Sequence, residues 1–276
     1  MDFIIDIASY GYLRNALIAA ILSGVVCGIV GTYVVSRRSL FLAGGVTHAS
    51  FGGLGMALYA GVNPILGATL FAVASALGIE WSSSNTKLRE DSAVGIIWAL
   101  GMATGALFMS LRSGYTSGDL ASYLFGSIIT VDSTDVISLL IFAILLIGAA
   151  FLWLRPVMLV AFDRDFARSQ GVPTKVISYA MAAITAVAIV LSIRIMGIIL
   201  LLSLLSLPVA IADNLSKSYR QIVVLAPLVG VIGNIVGLYI SYEFEVPPSA
   251  AIIFLLSFTL IVIKVITLCS DCRKKS

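Results

Sequence analysis

Charged residues are scarce in this 276-residue chain, since Asp, Glu, Lys and Arg together make up only 11% of it. Hydrophobic residues account for 60%, and the apolar runs reach the length of about 20 residues that a helix needs to cross a bilayer. The composition therefore predicts an all-α, polytopic membrane protein. Transmembrane β-strands are excluded because no segment alternates in polarity. The net charge of +3 gives no reason to expect nucleic-acid binding.

Catalytic motifs are missing as well. The chain has no GxxxxGK[ST] loop, so it cannot cradle the phosphates of ATP by itself. It has neither HExxH nor GxSxG, and His48 is its only histidine. We therefore predict that the chain is not an enzyme and holds no permanent cofactor. Cysteines are few, and the role of the terminal pair Cys269 and Cys272 stays open between metal or redox chemistry, palmitoylation and an unremarkable tail.

The apolar runs predict about nine transmembrane helices within a single domain covering residues 1–276. Their expected ranges are 14–35, 42–60, 64–80, 93–111, 134–154, 175–193, 197–213, 221–240 and 249–268. With the N-terminus outside and the C-terminus in the cytoplasm, fourteen of the 17 basic residues fall inside, and only Arg14, Arg112 and Arg194 fall outside. An excess of Lys and Arg on cytoplasmic loops is the usual orientation signal.

A short charged segment, FDRDFARSQGV, interrupts the apolar chain at residues 162–172. It carries Asp163, Arg164, Asp165 and Arg168 within six positions. One charge at the bilayer centre costs about 2.5–3.5 kcal/mol, so this segment must protrude into water. The predicted topology places it in the cytoplasm, where a soluble partner could bind it. We expect a cytoplasmic contact region at about residues 155–175.

The second predicted span begins with a glycine-rich stretch around the single histidine, LAGGVTHASFGGLG (42–55). Such a helix is weak and easily interrupted, which would free backbone carbonyls beside His48. An ionisable residue inside the membrane suggests a functional site, and neutral imidazole binds divalent transition metals. Gly44, Gly45 and Thr47 are therefore candidate pathway residues. Close helix packing and a simple interhelical hydrogen bond are the structural alternatives.

Other polar groups are few in the predicted spans. Asn234 is a candidate to line the pathway, although bridging between helices is the commoner use of such a side chain. Asp119, Glu243 and Glu245 fall on the predicted outer face, where they could attract a cation or a basic protein surface. No acidic residue is expected inside a span, which argues against a proton- or sodium-coupled carrier.

Five segments give the chain a resemblance to the ABC-3 permeases, the membrane subunits of ABC transporters for zinc, manganese and iron. The resemblance covers about residues 12–268, in the expected order and topology. The segments are LAGGVTHASFGGLG (42–55), EDSAVGIIWALGMATGALF (90–108), LASYLFGSIITV (120–131), FDRDFARSQGV (162–172) and IRIMGIILLLSLLSLPVAIA (193–212).

The resemblance implies import of Zn²⁺, Mn²⁺ or Fe²⁺ across a prokaryotic cell membrane by a homodimer. A separate cytoplasmic ABC ATPase and an extracytoplasmic metal-binding protein would be its partners. The charged segment matches the family's coupling region, and the residues expected to transmit ATPase motion are Asp163, Asp165, Phe166, Arg168 and Gly171. An ABC permease for an organic metal chelate, such as a siderophore or cobalamin, is the alternative.

One position departs from the family pattern. Members of the family that this chain resembles commonly carry GDALSHA where this sequence has AGGVTHA. Gly44 thus replaces an aspartate four residues before His48. Positions four apart share a helix face, so the usual pair could bind one cation together. Loss of the carboxylate weakens the case for Mn²⁺ relative to Zn²⁺ or Fe²⁺. The metal stays open.

Overall fold

The computed structural model describes residues 2–85, 89–111 and 131–275, and this part of the chain is helical without any strand. The prediction of an all-α membrane protein is confirmed. The helices are α1 (Asp2–Ser9), α2 (Gly11–Ser36), α3 (Leu40–Ala60), α4 (Pro64–Asn85), α5 (Glu90–Ser110), α6 (Ser133–Phe162), α7 (Arg164–Ser169), α8 (Thr174–Leu215), α9 (Tyr219–Phe244) and α10 (Pro248–Lys275). A helix satisfies all its backbone hydrogen bonds internally, as a lipid environment demands.

Eight of the described helices are long and apolar enough to cross a membrane, where the sequence predicted nine spans. The difference lies in α8, which has 42 residues and contains both predicted spans 175–193 and 197–213. A straight helix of that length would extend roughly 60 Å, twice the thickness of a hydrocarbon core. Its backbone breaks at Gly197, with φ 75° and ψ 172°. The count of nine crossings and the placement of the termini stay predictions.

A second break lies in α6 at Trp153, whose φ of −114° and ψ of 17° are not helical. Pro156 follows within the same helix, and proline cannot donate the backbone hydrogen bond of a regular turn. The break falls next to the predicted end of the fifth span at residue 154. The remaining turns of α6 lead directly into the charged segment.

The described residues form two compact units, each built from separate stretches of chain. The first unit holds residues 2–35, 131–154 and 199–275, and the second holds 36–85, 89–111 and 155–198. The prediction of a single domain over residues 1–276 stays a prediction.

Small residues bring the helices of the first unit close together. A Cβ built on Gly28 would lie 2.4 Å from the backbone nitrogen of Pro227, so α2 and α9 touch through their backbones. Gly24 meets Val231 in the same way, and Gly233 faces Leu256 of α10. Small residues allow this approach in membrane helices. Gly24, Gly28 and Gly233 are therefore packing positions.

In the second unit, α3 packs against both α4 and α5. A Cβ on Gly53 would lie 2.1 Å from the carbonyl oxygen of Gly67 in α4, and one on Gly55 would lie 2.6 Å from that of Gly105 in α5. Helix α3 is continuous from Leu40 to Ala60. The expectation that the glycine cluster interrupts this helix is wrong, because neighbouring helices hold its glycine-rich face in place.

Candidate functional site

His48 lies on α3 with its ring stacked on the indole of Trp98 from α5. The ring centroids are 4.3 Å apart and the planes differ by 5°. The Nδ1 atom of His48 is buried and has no hydrogen-bond partner within the described part of the chain. Buried nitrogen and oxygen atoms are nearly always partnered in proteins. His48 is thus held by its ring face while one nitrogen is left available for a ligand.

Gly44 lies one turn before His48 and borders open space. Although Gly44 is buried, a Cβ built on it would meet no atom within 4 Å. By contrast, a Cβ on Gly45 would lie 2.3 Å from the Cγ1 atom of Val94, so Gly45 serves helix packing. The hydroxyl of Thr47 donates to the carbonyl oxygen of Ala43 at 2.7 Å.

These contacts leave His48 without the companions that the sequence suggested. The carbonyls of Gly44 and Gly45 belong to an unbroken helix, and the proton of Thr47 is already donated within α3. Within the described residues, no group of three or more His, Cys, Asp or Glu side chains could enclose a metal ion. The arrangement is suited to brief contact with a cation and not to a closed cage.

The charged segment folds as the short helix α7, which has its own N-terminal cap. Asp163 precedes the helix, and its Oδ1 atom accepts hydrogen bonds from the backbone N–H groups of Asp165 at 3.0 Å and Phe166 at 2.9 Å. An aspartate in this position satisfies donors that the first turn would otherwise leave unpaired. Asp163, predicted as a contact for a partner, therefore also shapes the segment itself.

The other end of α7 is closed by a Schellman motif. The N–H of Gly171 donates to the carbonyl of Arg168 at 3.0 Å, and the N–H of Val172 donates to that of Ala167 at 3.1 Å. Gly171 has φ 76°, the left-handed conformation that this motif requires and glycine adopts readily. With both ends capped by its own residues, a helix of six residues keeps a defined shape.

The surface of α7 has one inward and one outward side. Ala167 is fully buried, whereas the ring of Phe166 is 51% exposed. Asp165 and Arg168 are exposed too. An open cleft follows the helix, and it is lined by Arg168, Val172, Pro173, Thr174, Lys175 and Val176. The segment thus presents an aromatic ring, charges of both signs and a shallow recess.

Glu80 of α4 is a residue that the sequence reasoning missed. Its side chain is 1% exposed, and it pairs with Arg37 at 2.7 Å and with Arg164 at 2.8 Å. The expectation that no predicted span contains an acidic residue is wrong, because Glu80 ends the span 64–80, and Asp135 and Asp213 lie at the ends of the spans 134–154 and 197–213. The carboxylate lies between two guanidinium groups, however, and both belong to arginines outside α4. An acidic residue at the end of an apolar run was the only available signal.

Three hydroxyl groups on α8 also escaped the sequence reasoning. Ser178, Thr185 and Ser192 are buried, and none has a hydrogen-bond partner in the described chain. They recur every seven residues, which places them along one side of a helix. An unpartnered buried hydroxyl costs about 1–3 kcal/mol. Water or a hydrated ion beside this side of α8 would remove that cost.

The remaining predicted site residues lie in the first unit or outside the described chain. Glu243 and Glu245 are exposed at the end of α9. Asp6 of α1 accepts a hydrogen bond from the hydroxyl of Tyr242, which places a further acidic residue near them. Asp119 lies outside the described residues.

The amide group of Asn234 bridges two helices of the first unit. It is fully buried, and its Nδ2 atom donates to the carbonyl of Ala20 in α2 at 2.8 Å. Its Oδ1 atom has no partner in the part of the chain that the structure describes. Bridging is the structural alternative given above, and a pathway role for Asn234 stays a prediction.

Comparison with known proteins agrees with this geometry. The model of the ABC 3 transport family matches residues 9–267. The chain is 32% identical to the manganese transport system membrane protein MntC of Halalkalibacterium halodurans, over 92% of this chain and 87% of that protein. It is 28% identical to the manganese import system permease protein ScaB of Streptococcus parasanguinis, over 93% of each chain.

A solved structure shows the same fold. The structure of PsaBC from Streptococcus pneumoniae in complex with a Fab matches with a TM-score of 0.84 at 25% identity, covering 95% of this chain and 94% of that one. The family match extends over nearly the whole chain, including α3, α7 and the apolar helices around them. This multi-pass membrane protein therefore belongs to the ABC 3 transport family.

Proposed function

We propose that the chain is the membrane permease subunit of an ATP-driven importer of divalent transition metal ions. The observation that carries the proposal is its similarity, over nearly its whole length, to proteins named for manganese transport. The capped and exposed helix α7 supports it, because a permease without a phosphate-binding loop must receive motion from a separate ATPase. The exposed ring of Phe166 suits insertion into an apolar recess of that partner.

Membership of the family also supports a proposal about the other partners. We propose a homodimer of this chain and a metal-binding protein on the outer side. Glu243 and Glu245 are exposed where α9 ends, and they would attract a cation or the basic surface of such a protein. The cation itself is the substrate and not a resident cofactor.

His48 is the proposed ligand for the ion in transit. Its unpartnered Nδ1 atom can replace part of the water shell of the ion, while stacking on Trp98 keeps the ring in place. One imidazole binds far more weakly than a four-ligand cage, and weak binding lets the ion leave. The hydroxyls of Ser178, Thr185 and Ser192 belong to the same unit and offer further oxygen contacts.

The identity of the metal is the open part of the proposal. MntC and ScaB are named for manganese. Gly44 stands where family members commonly carry an aspartate, whose carboxylate would favour Mn²⁺ over softer ions. Without it, Zn²⁺ and Fe²⁺ are candidates on chemical grounds. We therefore propose a divalent transition metal as the substrate class.

Uptake of radioactive metal tests the proposal directly. Cells with and without the gene are given free Zn²⁺, Mn²⁺ or Fe²⁺ in parallel with chelated iron. We expect gene-dependent uptake of a free ion that stops when ATP is depleted. Gene-dependent uptake of the chelate alone would instead indicate a chelate permease. Uptake by the purified chain alone in liposomes, without any ATPase, would indicate a secondary carrier.

Phe166→Ala is expected to separate ATP hydrolysis from transport. Removing the exposed ring weakens the contact with the ATPase without disturbing the buried side of α7, which centres on Ala167. The measurement is metal uptake and ATPase activity in the same membranes, and uptake should fall by about tenfold or more, as when an interface hot spot is removed. Phe258→Ala, at a ring on α10 that is 67% exposed, is the control. Normal uptake by Phe166→Ala would refute the coupling role.

His48→Ala is expected to raise the metal concentration needed for half-maximal uptake by about tenfold or more, because residues around a metal ion typically affect affinity on that scale. Initial uptake rates over a series of metal concentrations give this value. Trp98→Phe keeps an aromatic face against the imidazole and should change the value less. An unaltered half-saturating concentration in His48→Ala would make the histidine a packing partner of Trp98, and family membership would be unaffected.

A further inference from the structure

Glu80 is the centre of a buried ion-pair cluster in the second unit. Its Oε2 atom lies 2.7 Å from Nη2 of Arg37, and its Oε1 atom lies 2.8 Å from Nη2 of Arg164. Each carboxylate oxygen thus pairs with a different guanidinium group. Glu90 is a more distant fourth member, with its Oε2 atom 3.9 Å from Nη2 of Arg37.

The burial of this cluster makes a purely stabilising role a poor explanation. The Glu80 side chain is 1% exposed and that of Arg37 is 10% exposed, so both groups have given up most of their water. Desolvation offsets much of the attraction in such pairs, and apolar residues of the same size would often stabilise a fold as well. What a buried ion pair does provide is a defined geometry between the segments that contribute it. Removing one partner is costly because the other charge is then left unpaired.

The segments joined by Glu80 are informative. Arg164 is the first residue of α7, the proposed contact for the ATPase. Arg37 lies in the short connection between α2 and α3, three positions before α3 begins at Leu40. Helix α3 carries His48 two turns further along. Glu80 therefore binds α7 through one carboxylate oxygen and the connection before α3 through the other.

We propose that Glu80 is a positioning residue that passes displacement of α7 to α3 and hence to His48. This inference rests on the proposed function. When α7 moves with the ATPase, Arg164 and Glu80 move with it, and Glu80 carries Arg37 along. Arg38 stands next to Arg37 with φ 58°, a left-handed conformation that is uncommon for a residue with a side chain. The connection before α3 is thus a tight turn, which transmits movement better than a loose loop.

The test measures how many ATP molecules are hydrolysed for each metal ion taken up. The full-length chain is purified together with its copurifying ATPase and reconstituted in liposomes. Glu80→Gln keeps the size of the side chain but cannot pair with two guanidinium groups. We expect it to raise the number of ATP molecules used per ion by about tenfold or more, which corresponds to the loss of one buried ion pair.

Two further variants make the result specific. Asp91→Asn makes the same carboxylate-to-amide change at an exposed position in the first turn of α5, and it should leave the ratio unchanged. Arg164→Gln should raise the ratio as Glu80→Gln does. The double variant should have the same ratio as the single variants, because each of the three lacks the ion pair between Glu80 and Arg164. Arg164 is 33% exposed, so its variant carries the test if Glu80→Gln does not fold.

Each outcome decides the matter. A purely structural role would lower uptake and ATP hydrolysis in parallel and leave their ratio unchanged, and that result would overturn the inference. Strictly additive effects of the two substitutions would overturn it too. If the wild-type complex hydrolyses ATP and imports no metal, the proposed function fails; if it imports metal and Glu80→Gln keeps the normal ratio, only the role of Glu80 fails.

Discussion

Gly44→Asp is expected to lower the Mn²⁺ concentration needed for half-maximal uptake by about tenfold or more, the scale on which groups at a metal site affect affinity. The structure has room for the first atom of the new side chain, because a Cβ at Gly44 meets no atom within 4 Å. Residues four apart share one helix face, so the carboxylate would stand beside His48. Hard oxygen ligands suit Mn²⁺ better than they suit softer ions, and the gain for Zn²⁺ should be smaller.

The matched control for this prediction is Gly44→Ala. It adds the same Cβ without a carboxylate, so it should leave the half-saturating concentration of every ion unchanged. Initial uptake rates with Mn²⁺ and Zn²⁺ measure the effect, and adding His48→Ala to Gly44→Asp should remove most of the gain. Equal improvement by Gly44→Ala and Gly44→Asp would contradict direct binding. It would show instead that helix propensity at position 44 limits transport.

Gly53→Ala is expected to give the largest loss of stability among single methyl additions in the second unit. The added Cβ would lie 2.1 Å from the carbonyl oxygen of Gly67 and 2.5 Å from the Cβ of Phe71, both on α4. Neither atom is the end of a flexible side chain, so α3 and α4 must move apart. Overpacking of this kind costs about 1–3 kcal/mol, and occasionally more.

Thermal unfolding of the purified protein in detergent measures this loss. The midpoint is the temperature at which half of the protein no longer elutes in the folded peak in gel filtration. Gly78→Ala, on α4 where it faces α5, is the control, because the only atom its Cβ would meet within 4 Å is Cδ1 of Ile97, at 3.8 Å. That change replaces a helical glycine without a clash, and it should stabilise the protein by about 0.5–1 kcal/mol. A midpoint for Gly53→Ala equal to the wild-type value would refute the packing described for α3.

The sequence predicted the features that depend on local composition. Apolar length located every long helix of the described residues, because the need to span a bilayer leaves little choice of structure. The charge pattern of FDRDFARSQGV placed an exposed segment at α7, and Asp163 and Gly171 are residue types typical of helix ends.

The features that the sequence could not predict depend on residues far apart in the chain. Glu80 meets partners 43 and 84 positions away, and nothing in a single sequence marks those arginines as its neighbours. The stacking of His48 on Trp98 and the space beside Gly44 likewise depend on where α5 lies. Glycine content alone suggested a broken α3, because propensity takes no account of the helices that pack against it.

The break in α8 restricts the missense mutations that position 197 can accept. Gly197 combines φ 75° with ψ 172°, a backbone region that is essentially open to glycine alone. Every single-nucleotide missense change in a glycine codon introduces a residue with a β-carbon, and forcing such a residue into this region costs about 1–3 kcal/mol. Codon 197 can therefore drift only among its synonyms without straining the protein, whereas the codon for Gly44 is under no such backbone restriction.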